Sequence, residues 1–378
     1  MMETRSLRTV ALALAVVISQ SGCSSERTGT PSAIEPTAAP ATPLVSPIPT
    51  QEKNCRITKT TTELVGEMAE PRAGQTMTLL DDGRVLAVGG SGPGFVSLAS
   101  AEIWDPRVNL WVATGSMAEP RMGHGAVDLG DGRVLVVGGW KRTHPGEPVE
   151  VLSTTEIYEP STGRWSPGPS MNEARLGSDG VTLLSNGRVL VVGGAETSTS
   201  EVLDPQTLAW TYTGPMHAAR SKSAVSLLDG RVLAIGGFQW SDSDSDGGPT
   251  SAEIYDPLSD TWTLTAPLPS RQGLGSGVLL TDGRVLSTGG FLNGRGNLPL
   301  TLIYNPSVDE WVRGVAVVAN GHSSVVLDNG TVALIGVEVN SVRVPVYDPL
   351  LDSWDLSTRY DGKLGTGRER KEGGVPCG

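Results

Sequence analysis

The stretch Asp131–Gly139, DGRVLVVGG, sets a polar turn, four apolar residues and a pair of glycines in immediate succession. A continuous apolar run this short, bounded by turn residues, fits a strand buried on both faces. Glycine at a strand end allows positive φ and close approach of other backbone. The stretch therefore predicts a buried strand that bends sharply where a neighbouring segment comes near. Close copies recur as DGRVLAVGG (82–90), NGRVLVVGG (186–194), DGRVLAIGG (229–237) and DGRVLSTGG (282–290). A worn copy, NGTVALIGV, occupies 329–337.

Around each copy lies a longer unit. It opens on a Met-x-x-x-Arg lead-in at Met68–Arg72, Met117–Arg121, Met171–Arg175 and Met216–Arg220, and in the fifth unit at Leu268–Arg271. After Gly-Gly comes a gap of variable length. Then follow AEIWDP (101–106), TEIYEP (155–160), SEVLDP (200–205), AEIYDP (252–257), TLIYNP (301–306) or VPVYDP (344–349). Each unit closes on a tryptophan: Trp111, Trp165, Trp210, Trp262, Trp311 and Trp354. A period of roughly 50 residues with four short strands per unit is the signature of a propeller.

Gly-Gly, a later Tyr and a Trp soon after it resemble the kelch repeat, over about residues 68–357. The resemblance implies an all-β, six-bladed kelch-type propeller with four antiparallel strands per blade. Blades are expected at 68–116, 117–170, 171–215, 216–267, 268–314 and 315–360, within a propeller domain at 55–360 and before a tail at 361–378. Trp104 and Leu203 depart from the repeat Tyr, and Gly336-Val337 departs from Gly-Gly. The segment 58–68 reads as a further outer strand that would help the last blade join the first.

The sequence before the repeats has another character. Arg5 and Arg8 precede an apolar run at 9–19, of the length of a signal peptide's core and too short to span a bilayer well. Residues 1–22 are thus expected to be a signal peptide. Gly22-Cys23 resembles the lipobox of bacterial lipoproteins, with Gln20 departing from its usual aliphatic residue. That resemblance implies lipidation at Cys23, and hence an exported, membrane-tethered protein. Plain secretion with an incidental cysteine is the alternative. Residues 23–54 hold mostly Ser, Thr, Pro and Ala and read as a spacer without a core. The remaining cysteines, Cys55 and Cys377, flank the array and in an exported protein are read as a disulfide; two free thiols are the alternative.

A net charge of −12 argues against nucleic acid, whose binding rests on neutralising phosphates. The partner is expected to be a protein or a glycan, bound by a monomer, with the membrane reached only through the N-terminal lipid. Alternating strands put the DGR and YDP turns on one face, both short and uniform. The lead-ins and the variable gaps share the opposite face, where binding groups are expected. Trp140 and Trp240 are the tryptophans the repeat does not explain, and Phe238 and Phe291 lie in register with Trp140. Such aromatics suit stacking on a sugar or anchoring a peptide; covering the loop beneath is the alternative. Arg72, Arg121, Arg175, Arg220 and Arg271 begin the innermost strands and are expected to ring the channel mouth as a cationic rim; bonding nearby carbonyls is the alternative. Asp242, Asp244 and Asp246, with Gly247 sixth, match the start of a calcium loop, against a solvated Ser-Asp loop. No cofactor besides calcium is expected.

Some kelch propellers are copper radical oxidases, which implies a Cys–Tyr cross-link, a second Tyr and two His. The chain has no cysteine between Cys55 and Cys377, so that chemistry is disfavoured. A second enzyme reading, a sugar isomerase like N-acetylneuraminate epimerase, would use the arginine rim to receive an acid and a histidine such as His124 to move protons.

Overall fold

The computed structural model describes residues 68–105, 107–108, 110–175, 180–194, 197–220, 224–237, 250–270, 275–289, 291–292, 296–297, 299–317, 323–326, 330–335 and 345–355. The fold is all-β. In the first blade β1 (Thr76–Leu79), β2 (Val85–Val88), β3 (Ala101–Asp105) and β4 (Leu110–Ala113) form an antiparallel sheet in that order. The second blade orders β5 (Gly125–Asp128), β6 (Val134–Val137), β9 (Thr155–Glu159) and β10 (Arg164–Pro167). Its long gap adds a small hairpin of β7 (Trp140–Lys141) and β8 (Glu150–Val151). The same four-stranded order recurs over 181–212, 224–264 and 276–313.

These five blades are complete, with second and third strands paired through four residues each. The sixth sheet, over 323–355, is thinner among the described residues: its second strand meets its third at Val332↔Tyr347 and Ala333↔Val346, and Leu334 N–H donates to the Pro345 carbonyl at 3.0 Å. Six equal blades were expected; the structure has five full blades and this reduced sheet. The sequence reason is visible, because this unit has lost the second glycine, the lead-in arginine (Ala319) and the partner glutamate (Pro345). The four described strands of this sheet come from its own repeat. Residues 58–67 lie outside the described residues.

The second strands are the core. Val85–Val88, Val134–Val137, Val189–Val192, Val232–Ile235 and Val285–Thr288 are buried at every position, as strands packed on both faces must be. Apolar clusters run from blade to blade. Leu86, Val88 and Ile103 of the first pack on Val134, Val136 and Tyr158 of the second, and the pattern repeats along the chain. Each repeat Tyr stacks on its Trp, as in Tyr304–Trp311 at 4.7 Å between ring centres. The Tyr hydroxyl donates to an Asp five residues on (Tyr255 to Asp260, Tyr304 to Asp309, Tyr347 to Asp352), and burial plus that carboxylate pushes the phenol up. Each Trp then reaches back to the preceding blade, as Trp210 Nε1 does to the Pro169 carbonyl at 2.8 Å.

The glycine pair has a definite task. Gly193 sits at φ +59°, and a Cβ there would lie 2.0 Å from the Arg220 carbonyl oxygen. Gly194 N–H donates to that same carbonyl at 3.0 Å, as Gly90 does to Arg121 and Gly139 to Arg175. The pair thus brings the next blade's lead-in within hydrogen-bond reach, where any side chain would block it.

Candidate functional site

The lead-in arginines complete this clamp. The backbone of Arg121 is bonded to the first blade, through Leu98 O and Gly90 N–H. Its side chain is bonded to the second, through the carbonyls of Gly138 and Thr154 and the carboxylate of Glu156 at 3.0 Å. Arg72, Arg175 and Arg220 make the equivalent pairs with Glu102, Glu201 and Glu253 at 2.9, 2.8 and 2.6 Å. Each of those glutamates also accepts two backbone N–H groups of its lead-in. Opposed buried charges bonded through both terminal nitrogens are structural staples, although Nε of Arg72, Arg121 and Arg220 is left without a partner.

Two expectations are corrected by this geometry. Arg72, Arg121, Arg175 and Arg220 do not form a cationic rim: they are buried, and their guanidinium groups are taken up within their own blades. Arg271 lies outside the described residues. His124 does not offer a proton to a ligand either. It is fully buried, its Nε2 lies 2.9 Å from Thr76 Oγ1, and burial, with Arg121 nearby, depresses its pKa to about 3. A sugar-isomerase mechanism therefore loses these four arginines as acid receivers and His124 as its proton carrier. Glu253, at the twelfth position of the calcium pattern, is committed to Arg220 and His217. Asp242, Asp244 and Asp246 lie outside the described residues, as do Phe238, Trp240, Cys23, Cys55 and Cys377. Phe291 begins a two-residue strand paired with Gly296–Asn297.

Trp140 is described, and it is less free than its sequence position suggests. It is half-buried, its backbone pairs with Met122, and its ring edge lies beside Gly123. The Arg142 guanidinium sits 5.6 Å from the ring centre, a cation–π stack. Trp140 therefore props up the loop that carries it.

That loop is joined to the corresponding loop of the first blade. Ser97 N–H donates to the Arg142 carbonyl at 2.9 Å, and Arg142 N–H donates to Ser97 Oγ at 3.1 Å. Gly94 lies so close to Pro145 that a Cβ would approach its ring to 3.2 Å. The two loops form one platform, and its apolar side chains face solvent. Phe95, at the end of a 3-10 turn over Pro93–Phe95, is 66% exposed; Val149 and Val151 are 44% and 36% exposed. Phe95 also holds φ +59°, a conformation a bulky residue adopts only where its surroundings impose it.

Sequence reasoning passed over Phe95, although a signal existed. The chain has three phenylalanines, and all three (Phe95, Phe238, Phe291) fall in gaps after Gly-Gly. The scaffold uses none of them, so each asks for another explanation. The opposite face has exposed apolar residues too, among them Val108, Leu208, Leu258, Val308 and Leu350. These lie in the third-to-fourth-strand turns of different blades, with Leu350 beside Leu351, and apolar residues scattered in this way from blade to blade are ordinary surface. The DGR turns on that face satisfy themselves, with Arg84–Asp82, Arg133–Asp131, Arg231–Asp229 and Arg284–Asp282 paired internally.

Four-stranded blades clamped by glycine pairs, with variable loops gathered on one face, define a β-propeller that displays loops on a rigid scaffold. A family model described as the Kelch motif matches residues 121–172 and 219–269, and the chain is a kelch-repeat propeller. It is similar to the Kelch-like protein terF of Aspergillus terreus, 26% identical over 43% of this chain and 39% of that protein. It is also similar to the Kelch-like protein 23 of Homo sapiens, 31% identical over 42% of this chain and 29% of that protein. The chain thus spans well under half the length of these relatives. Among solved structures, a fungal alcohol oxidase of the AA5 family in complex with copper matches with a TM-score of 0.56 and 17% identity, over 69% of this chain and 57% of that one. This likeness concerns the fold. Among the described residues the histidines do not converge on a copper site: His124 is sealed in the core, His144 is exposed beside Glu147, and His217 is tied to Glu253. Among the described residues no three metal-ligating side chains come together.

Proposed function

We propose that this chain is a binding module that holds a partner protein on the face of its variable loops. The observation that carries this reading is the joined platform of the first two blades. It exposes Phe95, Val149 and Val151 together, on loops pinned by Ser97 and Arg142. Exposed apolar groups on a rigid base suit protein recognition, because little ordering entropy remains to be lost on binding. The Kelch-like relatives support a protein partner over a glycan. In this reading the reduced sixth sheet closes the ring against the first blade. The burial of Val85 and Trp104, clustered with Met77 and Trp111 apart from the cluster that faces the second blade, supports that closure. The charged start, apolar run and spacer of residues 1–54 support export with tethering at Cys23. The test is capture of partners from the native cell envelope by wild-type protein and by Phe95→Ser. A partner held by the wild type and lost from Phe95→Ser fits the reading. A partner retained equally by both contradicts it.

A further inference from the structure

We propose that the segment this platform receives is cationic, with an apolar anchor seated on Phe95, Val149 and Val151. The inference rests on the binding-face reading above and adds the chemistry of the partner. Its basis is an imbalance of charge built into the first three lead-ins. Each buried arginine there meets two carboxylates, not one. Arg72 meets Glu102 at 2.9 Å and Glu70 at 3.7 Å; Arg121 meets Glu156 at 3.0 Å and Glu119 at 3.7 Å; Arg175 meets Glu201 at 2.8 Å and Glu173 at 3.2 Å. The first carboxylate of each trio is buried and neutralises the arginine. The second is surplus, and it is the one that reaches solvent, with 43%, 23% and 37% of its side chain exposed.

The platform's own loop does not offset this. Lys141 bridges Glu119 and Glu150, so one cation serves two carboxylates. Glu147 adds another exposed acid. Arg142 lies over the Trp140 ring. The loop's Lys141 and Arg142 balance its Glu147 and Glu150, so the negative excess on this face is that of the lead-in carboxylates Glu70, Glu119 and Glu173. A partner carrying lysine or arginine beside an aromatic or aliphatic residue satisfies both features at once. The arrangement reverses the cationic rim that the sequence suggests, because the arginines are inside and the acids outside.

The experiment titrates the full-length protein with two labelled dodecamers. One has Lys-Leu-Lys blocks around a single Phe, spaced by Gly and Ser; the other is identical with Glu for Lys. The proteins are wild type, Phe95→Ser, and Glu147→Lys with Glu150→Lys, each first checked for an unchanged melting curve. The expected result is binding of the cationic peptide, weakened at high salt because exposed charges are screened. It should fall about tenfold in Phe95→Ser, as for loss of an anchor, and by a similar factor in the charge-reversed protein. Preference of wild type for the anionic peptide, still lost in Phe95→Ser, overturns the charge inference and leaves the binding face standing. Binding of either peptide that is indifferent to all the substitutions overturns both. Absence of binding by either peptide at millimolar concentration overturns the proposal.

Discussion

Removing one partner of a buried staple should cost far more than its hydrogen bonds suggest. In Glu201→Val the Arg175 guanidinium keeps the carbonyls of Gly193 and Thr199 and the partly exposed carboxylate of Glu173 at 3.2 Å, but loses its one buried carboxylate, at a site with no exposure on either side chain. The backbone N–H groups of Asn172 and Glu173 lose their acceptor as well. Breaking a buried pair this way costs about 3–5 kcal/mol. For a domain of this size that lowers the melting temperature by about 6–10 °C. The sixth unit supplies the control, since it has lost both members, as Ala319 and Pro345. The double variant Arg175→Ala with Glu201→Val removes the stranded charge. It should therefore be more stable than the sum of the two single changes predicts, by about 1–3 kcal/mol. Calorimetry or urea unfolding of the four proteins reads the cycle. Additive effects, or a loss below about 1 kcal/mol in Glu201→Val, would refute the staple and return the arginines to consideration as a ligand site.

Other outcomes follow from single contacts. His124 is held neutral in the fold, its pKa near 3 against an ordinary value of 6.5. Stability should be full above about pH 6.5 and erode as the pH falls toward 3, by at most about 5 kcal/mol; urea midpoints between pH 7 and 4 should show that slope, and His124→Gln should flatten it. Trp210→Ala empties space between two blades and should cost about 3–5 kcal/mol, whereas Trp140→Ala, half-buried in a loop, should cost clearly less in the same unfolding assay. Mass spectrometry of the mature chain should find lipid on Cys23, and non-reducing peptide mapping should join Cys55 to Cys377. An unmodified N-terminus elsewhere, or free alkylation of both thiols, would refute these two expectations.

The repeat was legible because every unit imposes the same steric demand. Gly-Gly is required by the approach of the next blade's arginine carbonyl, and the Tyr and Trp by the space between blades. A demand repeated down the chain stands out in one sequence without further comparison. The reduced sixth sheet was also foreshadowed, by Gly336-Val337 and Ala319. Of the two readings of the arginines, the cationic rim failed and the bonding of nearby carbonyls held, since a position at the start of an inner strand does not say which way the side chain turns. One clue was present: Arg72, Arg121, Arg175 and Arg220 each share a unit with Glu102, Glu156, Glu201 or Glu253, and the sixth unit lacks both, although the fifth keeps Arg271 with Leu302 in the glutamate's place. Residues that recur together in four units are candidates for an ion pair. The platform was not legible, because it depends on two loops 45 residues apart meeting at Ser97 and Arg142, which no local pattern encodes.

The claim that the loop face does the binding is tested most directly by site-specific photocrosslinking. One protein carries a benzophenone side chain at Phe95 and another at Leu258, which is 95% exposed on the opposite face. Both are expressed in the native cell and irradiated, and the cross-linked products are sequenced. The account predicts a discrete partner cross-linked from position 95, through a peptide rich in lysine or arginine, and none from position 258. A partner captured from position 258 and not from 95 would contradict it.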